Sequence, residues 1–428
     1  MRPLVSIIMP SLNVEKYIKE CIDSVRNQTL ENIEIICVDA GSDDGTLEII
    51  QEEINEDNRI RLIRSEKKSY GYQMNIGIDE SRGEYIGIVE TDDYVMPEMF
   101  GDLYTVAKKN SLDFIKSDFW RFTGTGEAIQ KKYFNVADNT FYGRVVDTSR
   151  EKQCFEFVMN IWCGIYNSNF IKKNNIRFYE SPGASFQDNG FWFQTYALGK
   201  KVWFLNKAYY MNRRDNENSS VFAKDKVYCI CNEYDFIMSN MKQRKLFERY
   251  KYIYANILYK NYKWTYDKIS VSQKKEFLKV FYDRAKVLLE IDALKEQYFT
   301  PYAWKTINSI LDDWEKYYEY SIGFDEWIYE LACQYYSVVI YGAGAYGKKL
   351  FNILTNQSVP IRVVSFAVSE ASDAYGDWMG IPIRNIADLT KTCKNSLIIV
   401  AAKGKYGNEM LQKASTLGFQ NLTLISNM

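Results

Sequence analysis

Between residues 4 and 110 the sequence alternates short apolar runs with segments of helical periodicity, and this alternation constrains the fold more than any other feature. In the first such segment the apolar residues recur every three or four positions, at Ile18, Cys21, Ile22 and Val25. Strands that alternate with helices predict a mostly parallel sheet with helices on both faces, an α/β fold. The apolar runs are Val5–Met9, Ile33–Val38, Ile60–Ile63 and Tyr85–Val89.

Polar residues follow three of these predicted strands directly. Residues 10–13 come after the first, Asp39 after the second, and residues 90–93 after the fourth. Because ligands in open α/β sheets bind beyond the carboxyl ends of the strands, we expect these residues to line one crevice. Asn13 is also expected to be the N-cap of the first helix.

An acidic cluster ends the fourth predicted strand. Glu90, Asp92 and Asp93 place three carboxylates within four residues, and such groups repel one another unless a cation neutralises them. The chain contains no histidine, so the chemistry open to it is oxygen-ligand metal binding and catalysis by carboxylate bases. The alternative is that the acids cap a helix starting near Pro97, although capping needs only one side chain.

Composition narrows the class of protein. A chain of 428 residues predicts about two or three domains. The 54 basic and 55 acidic residues nearly balance, which gives no reason to expect nucleic acid as a partner. The eight cysteines form no CxxC pair and are expected to be reduced thiols.

The location expected from the sequence is cytoplasmic. A strand beginning at Val5 leaves no room for a signal peptide, and no uncharged apolar run reaches the length of about 18 residues that a membrane-spanning helix needs. Peripheral contact with the inner face of the cell membrane is compatible with this expectation.

The pattern of apolar and polar residues changes near residues 222 and 333, and these changes divide the chain into three predicted domains. Residues 1–222 form the catalytic domain and residues 223–333 a helical region, in which an apolar stripe packs a core or, as an alternative, lies on a membrane surface. Residues 334–428 form a small Rossmann-like domain, in which Gly342, Gly344 and Gly347 follow a predicted strand and open a helix. This glycine spacing is typical of a second, dinucleotide-binding site, and the alternatives are a relic of such a site or an interaction module, since no clear ribose-binding acid follows.

A set of sequence blocks, in a fixed order over about half of the chain, resembles a known family. The blocks are Val5–Asn13, Val38–Thr46, Asn75–Gly77, Glu90–Asp93, Trp162–Tyr166, Phe186–Asn189 and Tyr209–Arg213. In this set the chain resembles the family 2 glycosyltransferases with the GT-A fold, of the bacterial surface-glycan type, here with a C-terminal Rossmann-like extension.

The resemblance implies transfer of a sugar from a nucleotide donor, with Asp92 and Asp93 at the family's DxD position. A diphosphate leaving group needs its developing charge neutralised, which Mn²⁺ or Mg²⁺ held by carboxylate oxygen achieves. By analogy Asp93 holds the metal, Asp92 contacts the donor ribose or the metal shell, and the role of Glu90 is left open.

The resemblance also implies a set of donor contacts. Asp39 would accept a hydrogen bond from uracil, which favours a UDP-sugar, and its alternative role is to stabilise a turn. Arg213 would clamp the diphosphate, with a loop from Asp215 to Ser220 folding over the donor, or would lie in a solvated loop. Met74 stands where the family commonly has Arg. The further donor-binding residues expected are Pro10, Ser11, Asn13, Gln73 and Asn75.

Asp188 matches the family's catalytic base. An inverting transfer needs a group that takes the proton from the acceptor hydroxyl, and in a chain without histidine an acid must serve. Gln187 replaces the usual acidic neighbour. The alternative for Asp188 is a helix N-cap. Trp192, close in sequence, is expected in the core, with contact to the acceptor as the alternative.

The function predicted is therefore a metal-dependent, inverting glycosyltransferase. It would move a sugar from a nucleotide donor, with a UDP-sugar favoured, to a hydroxyl of a glycan or lipid-linked acceptor in the synthesis of bacterial surface polysaccharide such as capsule. Two rivals are an NAD(P)-dependent oxidoreductase that uses the C-terminal glycines and a non-catalytic nucleotide-binding scaffold.

Overall fold

The computed structural model of the chain describes residues 2–216, 226–357, 359–370 and 376–425. The chain forms two compact units, Met1–Tyr250 and Lys251–Met428. The boundary between them falls inside the helix Phe247–Lys268, so the division of the sequence into three domains at residues 222 and 333 stays a prediction.

The N-terminal unit is built on a ten-stranded mixed sheet with flanking helices, which confirms the predicted α/β class. Its strands are β1 Val5–Ser11, β2 Ile33–Asp39, β3 Ile60–Arg64, β4 Tyr85–Ile88, β5 Tyr94–Val95, β6 Phe114–Thr123, β7 Gln130–Phe134, β8 Val145–Val146, β9 Gly164–Asn167 and β10 Val202–Arg213. Its helices are α1 Glu15–Arg26, α2 Thr46–Glu56, α3 Tyr70–Glu80, α4 Met99–Asn110, α5 Ser168–Lys173, α6 Gln187–Leu198 and α7 Cys229–Gln243, followed by the start of α8 Phe247–Lys268.

The order of the strands in this sheet is β3-β2-β1-β4-β9-β6-β10-β5, with β7 beside β6 and β8 beside β10. The four predicted strands pair in parallel around β1, and β9 is antiparallel to both of its neighbours. Every residue of β1 and β2 is buried, as expected for central strands covered on both faces. This burial fixes the positions at which their carboxyl ends emerge.

The expected N-cap of α1 is wrong. Asn13 has a left-handed backbone with φ of 53°, and the cap position is taken by Val14, without a side-chain cap bond. The amide of Asn13 instead pairs with Asp43 across the neighbouring loop, donating to its carboxylate (2.7 Å) and accepting from its backbone N–H (3.0 Å). The first N–H groups of α1 are satisfied from that loop as well, because Asp44 accepts from the N–H of Glu15. The loop after β2 therefore caps the helix after β1.

The C-terminal unit combines helices with a second sheet of six strands, in the order β13-β14-β12-β11-β15-β16. Except for the antiparallel β13–β14 pair, neighbouring strands are parallel, and the Rossmann-like character of this unit stays a prediction. Among the residues that the structure describes, no helix is long and apolar enough to cross a membrane. The unit contains the rest of α8, then α9 Val271–Glu290, α10 Pro301–Asp312, α11 Trp314–Cys333, β11 Val338–Tyr341, α12 Ala345–Thr355, β12 Val363–Val368, β13 Asp377–Trp378, β14 Ile381–Asn385, β15 Leu397–Val400, α13 Gly404–Thr416 and β16 Leu422–Leu424.

The close approach of α3 to β1 gives a test of the fold. A Cβ atom at Gly77 would lie 2.5 Å from Cγ2 of Ile8, and Ile8 is fully buried. We expect Gly77→Ala to lower the free energy of unfolding by about 1–3 kcal/mol, as overpacking does. Gly323→Ala in α11 is the matched control, since a Cβ there meets nothing within 4 Å and alanine favours a helix. Urea unfolding followed by circular dichroism checks both variants, and equal midpoints would contradict the packing argument.

Candidate active site

The carboxyl ends of β1, β2 and β4 meet at one edge of the sheet, as the sequence predicts. Ser11 stands opposite Asp39 in the register of β1 and β2. The loop after β4 is tied to the end of β1 by a hydrogen bond of 2.8 Å from Thr91 Oγ1 to the carbonyl of Pro10. The loops that carry the candidate residues therefore share one edge.

Asp39 is buried at this edge, with 1% of its surface exposed. Its Oδ1 accepts from the backbone N–H groups of Gly41 and Ser42, both at 2.8 Å. Its Oδ2 accepts from the hydroxyls of Ser11 (2.9 Å) and Ser42 (2.6 Å). The carboxylate thus stabilises the turn after β2, which is the alternative that the sequence left open. Contact with a uracil ring stays a prediction. It would require the hydroxyl of Ser11 or Ser42 to give up its hydrogen bond to Asp39.

The side chains of Gln73 and Asn75 form hydrogen bonds with backbone groups inside the protein. Gln73 Nε2 donates to the carbonyls of Ser11 (2.8 Å) and Val38 (2.6 Å), joining α3 to the ends of β1 and β2. Asn75 exchanges two hydrogen bonds of 3.0 Å with the backbone of Phe178. Both residues hold the walls of the crevice in place, and direct donor binding by either stays a prediction.

Asp93 is the most enclosed member of the acidic cluster, with 2% of its surface exposed. Its Oδ1 accepts from the backbone N–H of Arg213 at 2.6 Å, and its Oδ2 accepts from Asn212 Nδ2 at 3.1 Å. Burial raises the pKa of Asp93 well above its ordinary value, against these hydrogen bonds and one from Tyr210, which lower it. Asp93 therefore fastens the turn after β4 to the end of β10, and this enclosure disfavours the expected role as the metal ligand.

Asp92 is the accessible acid of the cluster. It is half-buried, and its Oδ2 accepts a hydrogen bond of 2.8 Å from Asn216 Nδ2. Its backbone carbonyl is held separately, by Arg213 Nε at 2.9 Å. The carboxylate is thus oriented from the chain that follows β10 while its backbone is fixed from β10 itself.

Glu90 belongs to the acidic cluster and is also influenced by the charge of the predicted base. Tyr70 donates its hydroxyl to Glu90 Oε1 at 2.6 Å. Burial raises the pKa of Glu90 to about 8, Tyr70 lowers it, and the charges of Asp92 and Asp188 raise it further. Because the charges of both Asp92 and Asp188 raise the pKa of Glu90, the three carboxylates are electrostatically coupled. The cluster does not cap the following helix, whose cap position is Glu98.

Arg213 does not face the crevice as a free cation. Its side chain is 3% exposed and forms an ion pair of 2.5 Å with Glu20. The guanidinium lies 4.8 Å from the ring centroid of Tyr17 and 4.6 Å from that of Phe122. The alternative of a solvated loop is therefore wrong for Arg213, because its side chain is buried and paired, and its role as a diphosphate clamp stays a prediction. Its role here is to position the backbone of Asp92.

The polar loop expected to fold over the donor is described only in part. Arg214 is exposed and its N–H donates to the carbonyl of Phe122 at 2.9 Å. Residues 217–220 of the predicted loop lie outside the described residues.

Asp188 is in the first turn of α6 rather than at its cap. The cap position is Phe186, with φ of 65°, so the N-cap alternative is wrong. Burial raises the pKa of Asp188 to about 6, while backbone N–H groups at the start of the helix lower it. Gln187 stabilises the preceding loop, because its side-chain amide donates to Ser181 Oγ at 2.8 Å and to the carbonyl of Gly183 at 3.1 Å. A carboxylate of this kind is ionised near neutral pH and is a stronger base than an exposed aspartate.

A second carboxyl supports this helix from α7. Glu233 is 1% exposed, and its Oε1 accepts the backbone N–H of Gly190 at 2.8 Å. A Cβ at Gly190 would lie 2.4 Å from that oxygen, so only glycine permits the contact. Burial raises the pKa of Glu233 well above its ordinary value, and the charge of Asp188 raises it further. Glu233 is thus a positioning residue for the helix that carries Asp188.

Two residues of this site had no signal in the sequence analysis. Tyr70 follows a polar loop, and Glu233 lies in a helix whose pattern indicates only an amphipathic segment. Their contacts with the candidate site are made across the fold, which no local pattern reports. The alternative that Trp192 contacts the acceptor is wrong, since it is 1% exposed and packs edge-on against Phe155.

The turn that carries Asp92 and Asp93 can hold a divalent metal ion only if a bound ligand supplies further coordinating oxygens. Within the described ranges no group of three cysteine or acidic side chains converges on one point to hold a metal ion. The donor set offered is carboxylate oxygen, the type that Mg²⁺ and Mn²⁺ prefer, and such ions commonly complete their shells with phosphate and water. Of the two expected ligands, the half-buried Asp92 fits this arrangement better than the enclosed Asp93.

The three C-terminal glycines follow β11 and open α12, as predicted, with Gly342 and Gly344 before the helix and Gly347 in its first turn. Gly342 has φ of 123°, and a Cβ at Gly347 would lie 1.8 Å from the carbonyl oxygen of Gly342. A Cβ at Gly344 would meet nothing within 4 Å. Backbone geometry and close packing account for two of the glycines, and nucleotide binding at this turn stays a prediction.

Comparison with known proteins is consistent with this geometry. Residues 6–180 match the family model described as glycosyl transferase family 2, a range that contains the acidic turn and ends before Asp188. "Glycosyltransferase GlyG" of Streptococcus pneumoniae serotype 4 is 32% identical over 230 residues, which cover 50% of this chain and 72% of that protein. "Uncharacterized glycosyltransferase EpsJ" of Bacillus subtilis strain 168 is 34% identical over 221 residues, which cover 51% of this chain and 63% of that protein.

A solved structure shares the fold. The chain superposes on residues 1–349 of S. aureus TarS in complex with UDP-GlcNAc with a TM-score of 0.53, at 20% identity, covering 70% of this chain and 83% of that one. At this identity the likeness is one of fold.

The raised pKa of Asp188 predicts that the residue costs stability. The unfolded carboxyl titrates near pH 4 and the folded one near pH 6, so the penalty is absent below about pH 4, grows as the pH rises, and is complete above about pH 6. We expect Asp188→Asn to raise the free energy of unfolding by about 1–3 kcal/mol at pH 8, with the gain vanishing at pH 4. Thermal unfolding at both pH values measures this.

The matched control is Asp138→Asn, since Asp138 is exposed and accepts a hydrogen bond from Gln153 that an asparagine can keep. An Asp188→Asn variant that is less stable than the parent at pH 8 would contradict the desolvation argument.

Proposed function

The chain belongs to the glycosyl transferase family 2, and from that premise we propose that its N-terminal unit transfers a sugar from a UDP-sugar to a hydroxyl of a surface-glycan acceptor, with inversion at the anomeric carbon. The match spans 63% of the length of EpsJ and 72% of GlyG. The donor, the acceptor and the stereochemistry are therefore parts of the proposal.

One observation carries the proposal. A half-buried acid, Asp92, lies at the carboxyl edge of the sheet, and a second half-buried acid with a raised pKa, Asp188, is close enough for both charges to act on Glu90. A transferase needs one acid on the side of the leaving diphosphate and another on the side of the attacking hydroxyl. This pair supplies both from different elements of the fold.

Asp188 is the proposed base. The acceptor hydroxyl oxygen bonds to the anomeric carbon as the bond from that carbon to the diphosphate oxygen breaks. The proton of the hydroxyl passes to the Asp188 carboxylate, and the electron pair of the broken bond leaves with the nucleoside diphosphate. Gly190 and Glu233 keep the first turn of α6, and with it Asp188, in place.

Asp92 is the proposed protein ligand for Mn²⁺ or Mg²⁺, with Asp93 as the residue that fixes the turn. A bound divalent ion would neutralise the charge that develops on the diphosphate. Asn216 orients the Asp92 carboxylate, and Arg213 holds its backbone. Of the two metal ligands that the sequence resemblance implied, this assignment keeps Asp92 and gives Asp93 a structural role instead.

The donor's nucleoside is proposed to lie over the ends of β1 and β2. Pro10, Ser11 and Asp39 form this edge, and Asn13 lies beside it in the loop pair with Asp43. The UDP-sugar class is proposed from the resemblance at Asp39, and TarS, which shares the fold, was solved with UDP-GlcNAc.

The proposed base is tested by Asp188→Asn. We expect kcat to fall by about 10²- to 10⁴-fold, the usual contribution of a general base, while UDP binding in the presence of Mn²⁺ is retained. In the parent enzyme kcat/KM should fall about tenfold per pH unit below about pH 6, because the pKa of the base is about 6.

A panel of UDP-sugars with Mn²⁺, read out as donor hydrolysis or transfer, supplies the rate assay, and calorimetry supplies the binding. Asp138→Asn is again the control. Unchanged turnover in Asp188→Asn would remove the assignment of the base.

The roles of Asp92 and Asp93 are separated by two variants. We expect Asp92→Asn to lose Mn²⁺-dependent UDP binding and to unfold near the parent's midpoint. Asp93→Ala leaves the N–H of Arg213 and the amide of Asn212 without their acceptor and should lower the free energy of unfolding by about 2–4 kcal/mol. Calorimetric titration of UDP with and without Mn²⁺, together with urea unfolding, measures both effects. The reverse pattern, with Asp93 decisive for metal binding and Asp92 for stability, would overturn this assignment.

The two rival functions make different predictions. An oxidoreductase would bind NAD(H) at the C-terminal glycines, and a scaffold would neither hydrolyse nor transfer any nucleotide sugar. The same donor panel, with an NAD(H) titration added, distinguishes them from the proposed transferase.

A further inference from the structure

The C-terminal unit contains an open pocket of about 550 Å³ on its second sheet. Ser337 and Ser396 in its lining directly precede β11 and β15, so this part of the pocket is at the amino ends of these strands. Gly342–Gly347 follow β11 at the other end. The pocket is therefore separate from the predicted dinucleotide turn.

The charges of the pocket lining have one sign. The lining contains the cationic side chains Arg362, Arg384, Lys391 and Lys394 and no carboxylate. Within the described residues no ion pair joins any of these four to an acid. Since the whole chain has a net charge of −1, this excess of positive charge is local.

Part of this charge is held in place by a neighbouring ring. Arg362 Nη1 donates to the hydroxyl of Tyr336 at 2.6 Å, and its guanidinium lies 5.0 Å from the centroid of that ring. Tyr336 is 84% exposed, so it forms an outer wall rather than part of a core. Stacking of this kind orients an arginine and leaves its other N–H groups for an anion.

The remaining polar lining offers neutral donors. Thr392 and Asn395 are exposed beside the lysines, and the hydroxyls of Ser337 and Ser396 are 2.7 Å apart where β11 and β15 begin. Like charges that converge on one pocket repel one another, and a multiply charged anion relieves that repulsion. Phosphate combines high charge with several acceptor oxygens, which suits arginine, lysine and hydroxyl donors together.

From this combination we propose that the pocket lined by Arg362, Arg384, Lys391 and Lys394 binds a phosphate-bearing ligand. The ligand is either a soluble phosphate compound or the headgroup of an anionic lipid, and the site is independent of the proposed sugar transfer.

The test uses the full chain and inorganic pyrophosphate as the probe, without divalent metal so that the acidic turn does not contribute. Calorimetry should show binding that weakens as salt is added. Arg384→Ala combined with Lys391→Ala should bind pyrophosphate about tenfold more weakly, because two charge-assisted hydrogen bonds are lost. The control is Lys305→Ala combined with Lys405→Ala, which removes the same charge from exposed positions outside the pocket and should leave binding unchanged.

A second arm distinguishes the source of the phosphate. Vesicles of equal parts phosphatidylglycerol and phosphatidylcholine are compared with vesicles of phosphatidylcholine alone in a flotation assay. Flotation with anionic vesicles that the pocket variant loses and the control keeps assigns the site to a lipid headgroup. Pyrophosphate binding without flotation assigns it to a soluble ligand.

Absence of both kinds of binding, or equal weakening in the pocket variant and the control, overturns the proposal. Since the substituted side chains are exposed, unfolding midpoints should match the parent. If the double variant fails to fold, Lys394→Glu alone serves in its place, with Lys405→Glu as its control.

Discussion

The parallel pairing of β1 with β2 on one side and β4 on the other is the constraint on which the candidate site depends. It brings the ends of three strands to one edge of the sheet, and the loops that follow are then joined by side chains rather than by sequence. Gln73 bonds to the ends of β1 and β2, and Thr91 ties the acidic turn to β1. If one of these strands shifted its register by a residue, the alternation of its side chains would move the loop residues off this edge.

Burial acts on the acids of the site in a graded way. Asp93 lies deepest and joins the turn after β4 to β10, while Asp92 and Asp188 are both half-buried, and the pKa of Asp188 is raised to about 6. The desolvation that disfavours the charge of Asp188 in the folded protein also makes this carboxylate a better base. Stability and the proposed chemistry therefore oppose each other at this residue.

The cationic side chains also fall into two kinds, those paired inside the fold and those free to bind an anion. Arg213 looked like a ligand clamp from its position after two tyrosines, yet in the fold it is stacked between Tyr17 and Phe122 and paired with Glu20. The cations around the C-terminal pocket have no acidic partner among the described residues, although Arg362 lies over the ring of Tyr336. What separates the two cases is the neighbouring charge, which depends on elements distant in sequence.

The sequence by itself determined the α/β class, the four central strands and the convergence of Asp39 and the acidic turn, because each follows from a local period and from the geometry of parallel sheets. It also located the blocks that resemble the family. Only the tertiary structure decided that Asn13 pairs with Asp43 rather than capping α1, that Asp93 is enclosed while Asp92 is accessible, and that Glu233 supports the helix of Asp188. These outcomes depend on hydrogen bonds and burial between residues far apart in the chain, and no local pattern of residue types encodes which partner fills a given acceptor.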